Sequence, residues 1–226
     1  MTYCIGGIDT GIGKTVATGL MYRWLLARKR DAITVKLVQT GNTGFSEDLL
    51  EHRRIAGAPE QPEDAEGLTA PQIFSFPASP ALAAAREGRS VDTDAILRAV
   101  QECERRRGTV LAETAGGLMA PLSASMSTAD FIAAAGWPLV LVSCGRLGSI
   151  NHTLLSLECA KARGIRVAGI VWNAFPAADP EIDADARAAA LGFMSRAGWN
   201  PALVECPALP EPGRSPELPD FSPILG

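Results

Sequence analysis

The sequence predicts an α/β fold with a mostly parallel central sheet flanked by helices on both faces. Three observations carry this. Strand-like segments such as Ile33 to Val38 and Leu139 to Ser143 are continuous apolar runs, as strands buried on both faces require. Helical patterns separate them, the arrangement that produces parallel crossovers. Polar residues gather just past the strand ends, at Asp9, Gln39, Glu113, Gly145 and Asn173. That edge of an open α/β sheet is where ligands bind.

The apolar run Tyr3 to Ile8 reads as the first strand, and a helical pattern follows with Val16, Leu20 and Trp24 on one face. A basic turn, Arg28-Lys29-Arg30, ends it. After the strand Ile33 to Val38, Ser46 with Glu47 and Asp48 suits a helix start, because acids favour the first turn. That helix runs to about Ala56, and residues 57–72, rich in proline and glutamate, read as a surface loop. Ile73 to Phe76 is a short strand, and Pro80 opens a small alanine-rich helix. Asp92 caps a helix that runs to Arg107 and stops at Gly108. Thr109 to Ala112 is a buried strand ending at Glu113 and the turn Ala115-Gly116-Gly117. The strand Leu139 to Ser143 comes next, then a helix from about Asn151 to Arg163 and a strand from Val167 to Asn173. Asp179-Pro180 opens another helix, a capping residue followed by proline. Leu203 to Cys206 is a last strand, and the six prolines from Pro207 onward are expected to exclude regular helix. No repeat or boundary interrupts residues 1–226, which read as one domain.

Between the first strand and the first helix lies Gly7-Ile8-Asp9-Thr10-Gly11-Ile12-Gly13-Lys14-Thr15. Strand, glycine-rich turn and helix form the context of a phosphate-binding loop. Small residues let the backbone N–H groups of Thr10, Gly11, Ile12 and Gly13 curl round a phosphate, toward which the helix points its positive end. Lys14 can then reach the β/γ-phosphates, and Thr15 can offer a hydroxyl to Mg²⁺. Five residues separate Gly7 from Gly13 where the usual pattern has four. The fold is thereby expected to be of the P-loop NTPase type.

Three further residues are readable in more than one way. Glu113 follows a buried strand, where P-loop proteins place a carboxylate near Mg²⁺, but a solvated strand-end glutamate looks the same. Asp48, in a first helical turn, is equally a capping or electrostatic acid. Lys36 near a strand end is expected to emerge at the ligand edge, since lysine is rarely buried without a partner.

Composition narrows the partners. The 226-residue chain carries 21 Lys+Arg against 25 Asp+Glu, so no global attraction to nucleic acid or an anionic membrane is expected. A chain of this size buries about 70 % of its unfolded surface and needs no disulfide to fold. The five cysteines are scattered and odd in number, and read as buried thiols in a reducing compartment. His52 and His152 are too few for an ordinary zinc site. No secretory signal is visible, and the run Phe131 to Cys144, broken by Gly136 and Pro138, is too short to span a bilayer. The expectation is a cytoplasmic protein.

Several blocks, in order along nearly the whole chain, resemble the dethiobiotin synthetase family. They are the phosphate loop; Lys36-Leu37-Val38-Gln39-Thr40-Gly41; Glu113-Thr114-Ala115-Gly116-Gly117 with Pro121-Leu122-Ser123; Leu147-Gly148-Ser149-Ile150-Asn151-His152; and the strand ending at Asn173. The resemblance implies a homodimer with shared active sites that converts 7,8-diaminononanoate, CO₂ and ATP to dethiobiotin, ADP and phosphate. It implies that Lys14 holds the transferring phosphoryl group, that Thr15, Asp48 and Glu113 surround Mg²⁺, and that Lys36 stabilises a carbamate. Thr114, Ala115 and Gly116 would join the nucleotide site, and Asn173 would read adenine. Pro207, Ala208 and Leu209, within a loop to Pro210, would flank the base, with Glu211 near the ribose. Thr40 would contact the diamine, and Gly148, Ser149, Ile150 and Asn151 of the neighbouring subunit would receive the substrate carboxylate.

The chain departs from the family pattern at four places. Leu37 replaces a usual proline, Thr114 a glycine and Ala81 a common histidine, while Gly11-Ile12 replaces an acidic-valine pair. These bear on substrate positioning rather than on reaction class. Two other readings compete. A P-loop ATPase switch would carry an additional lysine early in the loop, where Gly6, Gly7 and Ile8 stand. A non-catalytic binding module of the same fold would be expected to lose Lys36 or Glu113, and both are present.

Overall fold

A computed structural model describes residues 1–175, 177–199, 202–209 and 217–226. The elements run β1(Thr2–Gly7), α1(Lys14–Ala27), β2(Ala32–Lys36), β3(Gln39–Thr40), α2(Glu47–Ala56), α3(Pro62–Ala65), β4(Ile73–Phe74), α4(Pro80–Arg86) and α5(Thr93–Arg107). They continue β5(Thr109–Gly117), α6(Thr128–Ala135), β6(Leu139–Cys144), α7(Ser149–Ala162), β7(Val167–Asn173), α8(Pro180–Arg196), β8(Leu203–Cys206) and α9(Ser222–Leu225).

The main sheet has six strands in the order β2-β5-β1-β6-β7-β8, and every pairing in it is parallel. Its strands are buried along nearly their whole length, which is why they read as unbroken apolar runs. β3 and β4 form a separate parallel pair. Register brings the functional residues together: Lys36 of β2 and Ile5 of β1 both lie opposite Glu113 of β5. Strand order therefore leaves one strand between Lys36 and the phosphate loop.

Several boundaries differ from the sequence reading, each for a local reason. The expected strand Ile33 to Val38 splits: the β2 ladder ends with the bond from Leu37 N–H to the Glu113 carbonyl, and Gln39 N–H then turns to the carbonyl of Gln72 in a separate pair. β5 continues through the supposed turn to Gly117, since β1 keeps pairing with it beyond a register shift between Ile5 and Gly7. α7 begins at Ser149, two residues before the expected start. α6 was not anticipated, although Ser127 and Asp130 cap it reciprocally. α9 corrects the expectation of no helix after Pro207: Pro223 lies in its first turn, where a missing N–H costs nothing. α1 is buried on several sides rather than along one stripe, because α2 packs on it as well as the sheet. A Cβ at Gly19 would lie 2.9 Å from Ile55 Cβ, so glycine permits that close approach.

Residues 57–72 contain α3 instead of being all loop, and one carboxylate organises the segment. Asp64 accepts both Arg53 Nε and Nη2, at 2.9 and 2.7 Å, together with Thr69 Oγ1 at 2.7 Å and Gln61 N–H at 2.8 Å. Thr69 then accepts Lys36 N–H on its carbonyl, which ties this segment to the site. Burial alone would raise the Asp64 carboxyl, but Arg53 and the Gln61 N–H hold it below the usual carboxylate range. Its folded value is depressed, so its stabilisation is present at neutral pH and is lost as pH falls through that value. Asp64→Ala is expected to destabilise the fold by about 3 kcal/mol at neutral pH. Urea denaturation checks this, and the gap to the wild type should narrow in acid below the ordinary carboxylate range.

Candidate active site

The phosphate loop is shaped by its own side chains. Lys14 folds back so that its Nζ donates to the Asp9 carbonyl at 2.7 Å, and Thr10 N–H donates to Asp9 Oδ1 at 2.8 Å. Gly13 holds φ 86°, a conformation that favours glycine, and α1 starts at the next residue. A Cβ there would come within 1.9 Å of Asn173 Nδ2, so a second constraint excludes any side chain. Asn173 braces the loop by donating to the Ile12 carbonyl at 2.9 Å and accepting Phe175 N–H at 3.2 Å. Burial and the nearby Lys36 charge lower Lys14 to about 8.

Beside the loop lies a compact charged cluster. Lys36 Nζ lies 2.6 Å from Asp48 Oδ2 and 2.7 Å from Glu113 Oε1. Thr15 Oγ1 donates to Asp48 Oδ1 at 2.8 Å and lies 3.3 Å from Glu113 Oε1. Lys36 is therefore buried with partners instead of emerging free at the sheet edge, which corrects the sequence reading. Burial works against its charge, but the carboxylates of Glu113 and Asp48 outweigh it and raise the ammonium above its ordinary value. For Glu113, burial would raise the carboxyl, yet Lys36 and His52 hold it far below the usual range. Asp48 is a cluster member as well as a first-turn acid, held there because Ser46 caps α2 through Leu49 N–H.

Thr15, Asp48 and Glu113 present a hydroxyl and two carboxylates, an oxygen set of the kind Mg²⁺ takes. Among the described residues no group of three or more His, Cys, Asp or Glu forms a metal cage.

A cavity of about 700 Å³ opens beside the loop, lined by Asp9, Thr10, Thr40, Ala115, Gly116 and residues of α7. It brings Thr40 to the same space as the phosphate loop, whereas Lys14, Lys36, Asp48 and Glu113 do not line it. Thr114 is buried with Oγ1 on the Ile5 carbonyl, and its own carbonyl lies 3.3 Å from Lys36 Nζ. Cys206 pairs opposite Asn173, so Pro207, Ala208 and Leu209 leave the sheet at the same edge as Asn173. Pro210 and Glu211 lie outside the described residues. Of the helix-start group, Gly148 and Asn151 are exposed and Ile150 half-buried, while Ser149 is fully buried with Oγ lacking a partner.

Two residues escaped the sequence reading. His52 contacts Glu113 at 2.7 Å, and its spacing of four from Asp48 on one helix was the available signal. Arg146 pairs with Asp9, with His152 Nδ1 3.8 Å away. The Thr10 N–H and then Arg146 lower the Asp9 carboxyl against the effect of burial. No local pattern signals that pair, whose partners lie on different strands' ends.

A family model described as an AAA domain matches residues 1–210. The ATP-dependent dethiobiotin synthetase of Chlorobaculum tepidum is 48 % identical over 88 % of this chain and 84 % of its own length. The chain belongs to the ATP-dependent dethiobiotin synthetase family. A second member, from Haemophilus influenzae, is 44 % identical over 77 % of the chain and 92 % of its own length. Among solved structures, a cell division protein FtsY from Thermotoga maritima aligns with TM-score 0.51 at 16 % identity. It covers 92 % of this chain but 62 % of the FtsY chain, and that likeness speaks to the fold alone. The Leu37 N–H donates to the Glu113 carbonyl at 3.0 Å, a bond that proline at this position could not make.

The loop geometry sets an expected outcome. Gly13→Ala should weaken nucleotide binding roughly tenfold or more, since strain of this kind costs on the order of 1–3 kcal/mol. Titration calorimetry with ADP measures it. Adding Asn173→Ala should not restore binding, because it removes the clash together with the bond that braces the Ile12 carbonyl.

Proposed function

We propose that the charged cluster and the adjoining cavity catalyse ATP-dependent closure of the cyclic urea of dethiobiotin from 7,8-diaminononanoate and CO₂. The observation that carries this reading is the convergence of Lys14, Thr15, Lys36, Asp48 and Glu113 beside a cavity that Thr10 and Thr40 line. One substrate amine takes up CO₂ as a carbamate and loses a proton. A carbamate oxygen attacks the γ-phosphorus, ADP leaves, and a carbamic-phosphoric anhydride remains. The second amine then attacks the carbonyl carbon, loses a proton and displaces phosphate.

The side chains divide the work. Lys36 is held charged by two carboxylates, so it suits a fixed cation that stabilises the carbamate and the developing phosphoryl charge; a proton acceptor would need the opposite shift. Lys14 follows the phosphoryl group being transferred. Thr15, Asp48 and Glu113 would hold Mg²⁺, which supplies charge neutralisation at the phosphates when bound. Thr40 orients the diamine. Asn173 would read adenine, and Pro207, Ala208 and Leu209, which follow Cys206 at the same sheet edge, would flank it. The start of α7, at Gly148, Ser149, Ile150 and Asn151, would bind the substrate carboxylate of a partner subunit's site at a helix N-terminus, where the Ser149 N–H is already held by the Arg146 carbonyl. The unit of function is then a homodimer. Five free thiols, four of them buried, support a cytoplasmic setting. Among the described residues no helix is long and apolar enough to cross a membrane.

The test is ADP release that depends on the diamine. A chain that hydrolyses ATP without regard to it would be a switch of the same fold, and one that releases no ADP would be a binding module. Lys14→Ala should cut diamine-dependent turnover by about two orders of magnitude or more. Lys36→Ala should abolish dethiobiotin formation while calorimetry still detects an unreactive ATP analogue. Equal loss of both would make Lys36 a phosphate clamp.

Sharing of sites between subunits has its own test. Lys36→Ala damages one half of a site, and Asn151→Glu, at an exposed position, should repel the substrate carboxylate from the other half. Mixed dimers of the two variants contain one intact composite site. Random exchange makes about half the dimers mixed, so roughly a quarter of wild-type activity should return. Confirmed exchange without recovered activity would exclude the shared site.

A further inference from the structure

His52 lies on α2 one turn after Asp48, so the two side chains leave the same face of the helix. Its side chain is completely buried, and Nε2 lies 2.7 Å from Glu113 Oε2. The charged Glu113 carboxylate can only accept, so Nε2 carries the proton and donates. Nδ1, buried on the other side of the ring, has no partner. An orphaned buried nitrogen costs stability, and an aliphatic side chain would fill the same place without one. Packing therefore does not account for a histidine here. What the histidine adds is its hydrogen bond to Glu113.

That bond divides the work of the Glu113 carboxylate. Oε2 is taken by His52, and Oε1 is left facing Lys36 Nζ at 2.7 Å and Thr15 Oγ1 at 3.3 Å. The last torsion of a glutamate is broad, so nothing intrinsic holds one oxygen toward the phosphate loop. A donor fixed on the opposite oxygen does. His52 is itself held by the helix that supplies Asp48, so one rigid element sets the placement of both carboxylates.

We propose that His52 is a positioning residue: its Nε2–H fixes Glu113 so that Oε1 faces Thr15 and the divalent cation that Thr15, Asp48 and Glu113 would hold. This rests on the reading of those three residues as metal ligands. His52 acts through Glu113 and touches neither nucleotide nor diamine. Partners that orient metal ligands in this way change metal affinity by roughly ten- to a hundredfold when removed.

Three variants separate positioning from packing. His52→Leu removes the donor, His52→Asn carries an amide too short to reach Glu113, and His52→Gln carries one long enough. The probes are Mn²⁺ binding in the presence of ADP, followed by electron paramagnetic resonance, and the Mg²⁺ concentration that half-saturates turnover. His52→Leu and His52→Asn should weaken Mn²⁺ binding and raise the Mg²⁺ requirement by roughly ten- to a hundredfold. ADP affinity without a divalent cation should stay at the wild-type value, and His52→Gln should recover most of the loss. A folded His52→Leu with wild-type Mn²⁺ affinity and Mg²⁺ requirement overturns the proposal. If His52→Leu does not fold, His52→Gln performing no better than His52→Asn overturns it equally. A wild-type protein that binds no Mn²⁺ with ADP present would instead sink the metal-ligand assignment, and this inference with it.

Discussion

The ion pairs that Lys36 makes with Asp48 and Glu113 are what the surrounding structure depends on. An ammonium and two carboxylates near the edge of an apolar sheet are tolerable only as a mutually satisfied set, because each alone would carry a large desolvation penalty. Satisfying them dictates much else. β2 and β5 must keep the register that sets Lys36 opposite Glu113, and α2 must sit close enough on α1 to bring Asp48 to Thr15. Gly19 allows that approach, and Arg53 with Asp64 secures the segment beyond α2. A cluster assembled from four separate elements is then positioned before any nucleotide arrives.

Positioning matters because phosphoryl transfer asks little covalent chemistry of a protein and much of its fixed charges. Lys36 is buried against two carboxylates, Lys14 is folded against the loop, and Asn173 braces that loop from β7. Fixed charges contribute most where little reorganisation is left for the moment of reaction, which is what the proposed site would require. The residues beside the cluster respect this arrangement. Leu37 adds a backbone bond to the Glu113 carbonyl, and Thr114 directs its hydroxyl onto β1 instead of the cluster.

Much of this was legible in the chain. Unbroken apolar strands, a glycine-rich loop before a helix, capping residues at Ser46, Asp92 and Asp179, and glycine at Gly108 are local signals, and local physics produces the elements they mark. α6 could have been read from Ser127 and Asp130, and α3 from Pro62 with Asp64, because capping also acts over a few residues. Thr15, Lys36 and Asp48 were nameable as candidates because each lies at the start or end of an element, and Glu113 because it closes the apolar run of its strand.

By itself the sequence determined element type, the order of the elements and the place of the phosphate loop, since these follow from periodicity, capping and backbone freedom along short stretches. The tertiary structure alone decided which charges meet. Whether Lys36 was free or paired, whether Asp48 only capped its helix, and whether His52 mattered all depended on side chains up to 77 residues apart in sequence. Strand register and helix docking bring those groups within hydrogen-bonding distance, and the burial that results makes their pairing obligatory. The splitting of β2 from β3 had the same origin, because backbone N–H groups took partners across the fold that no local pattern names.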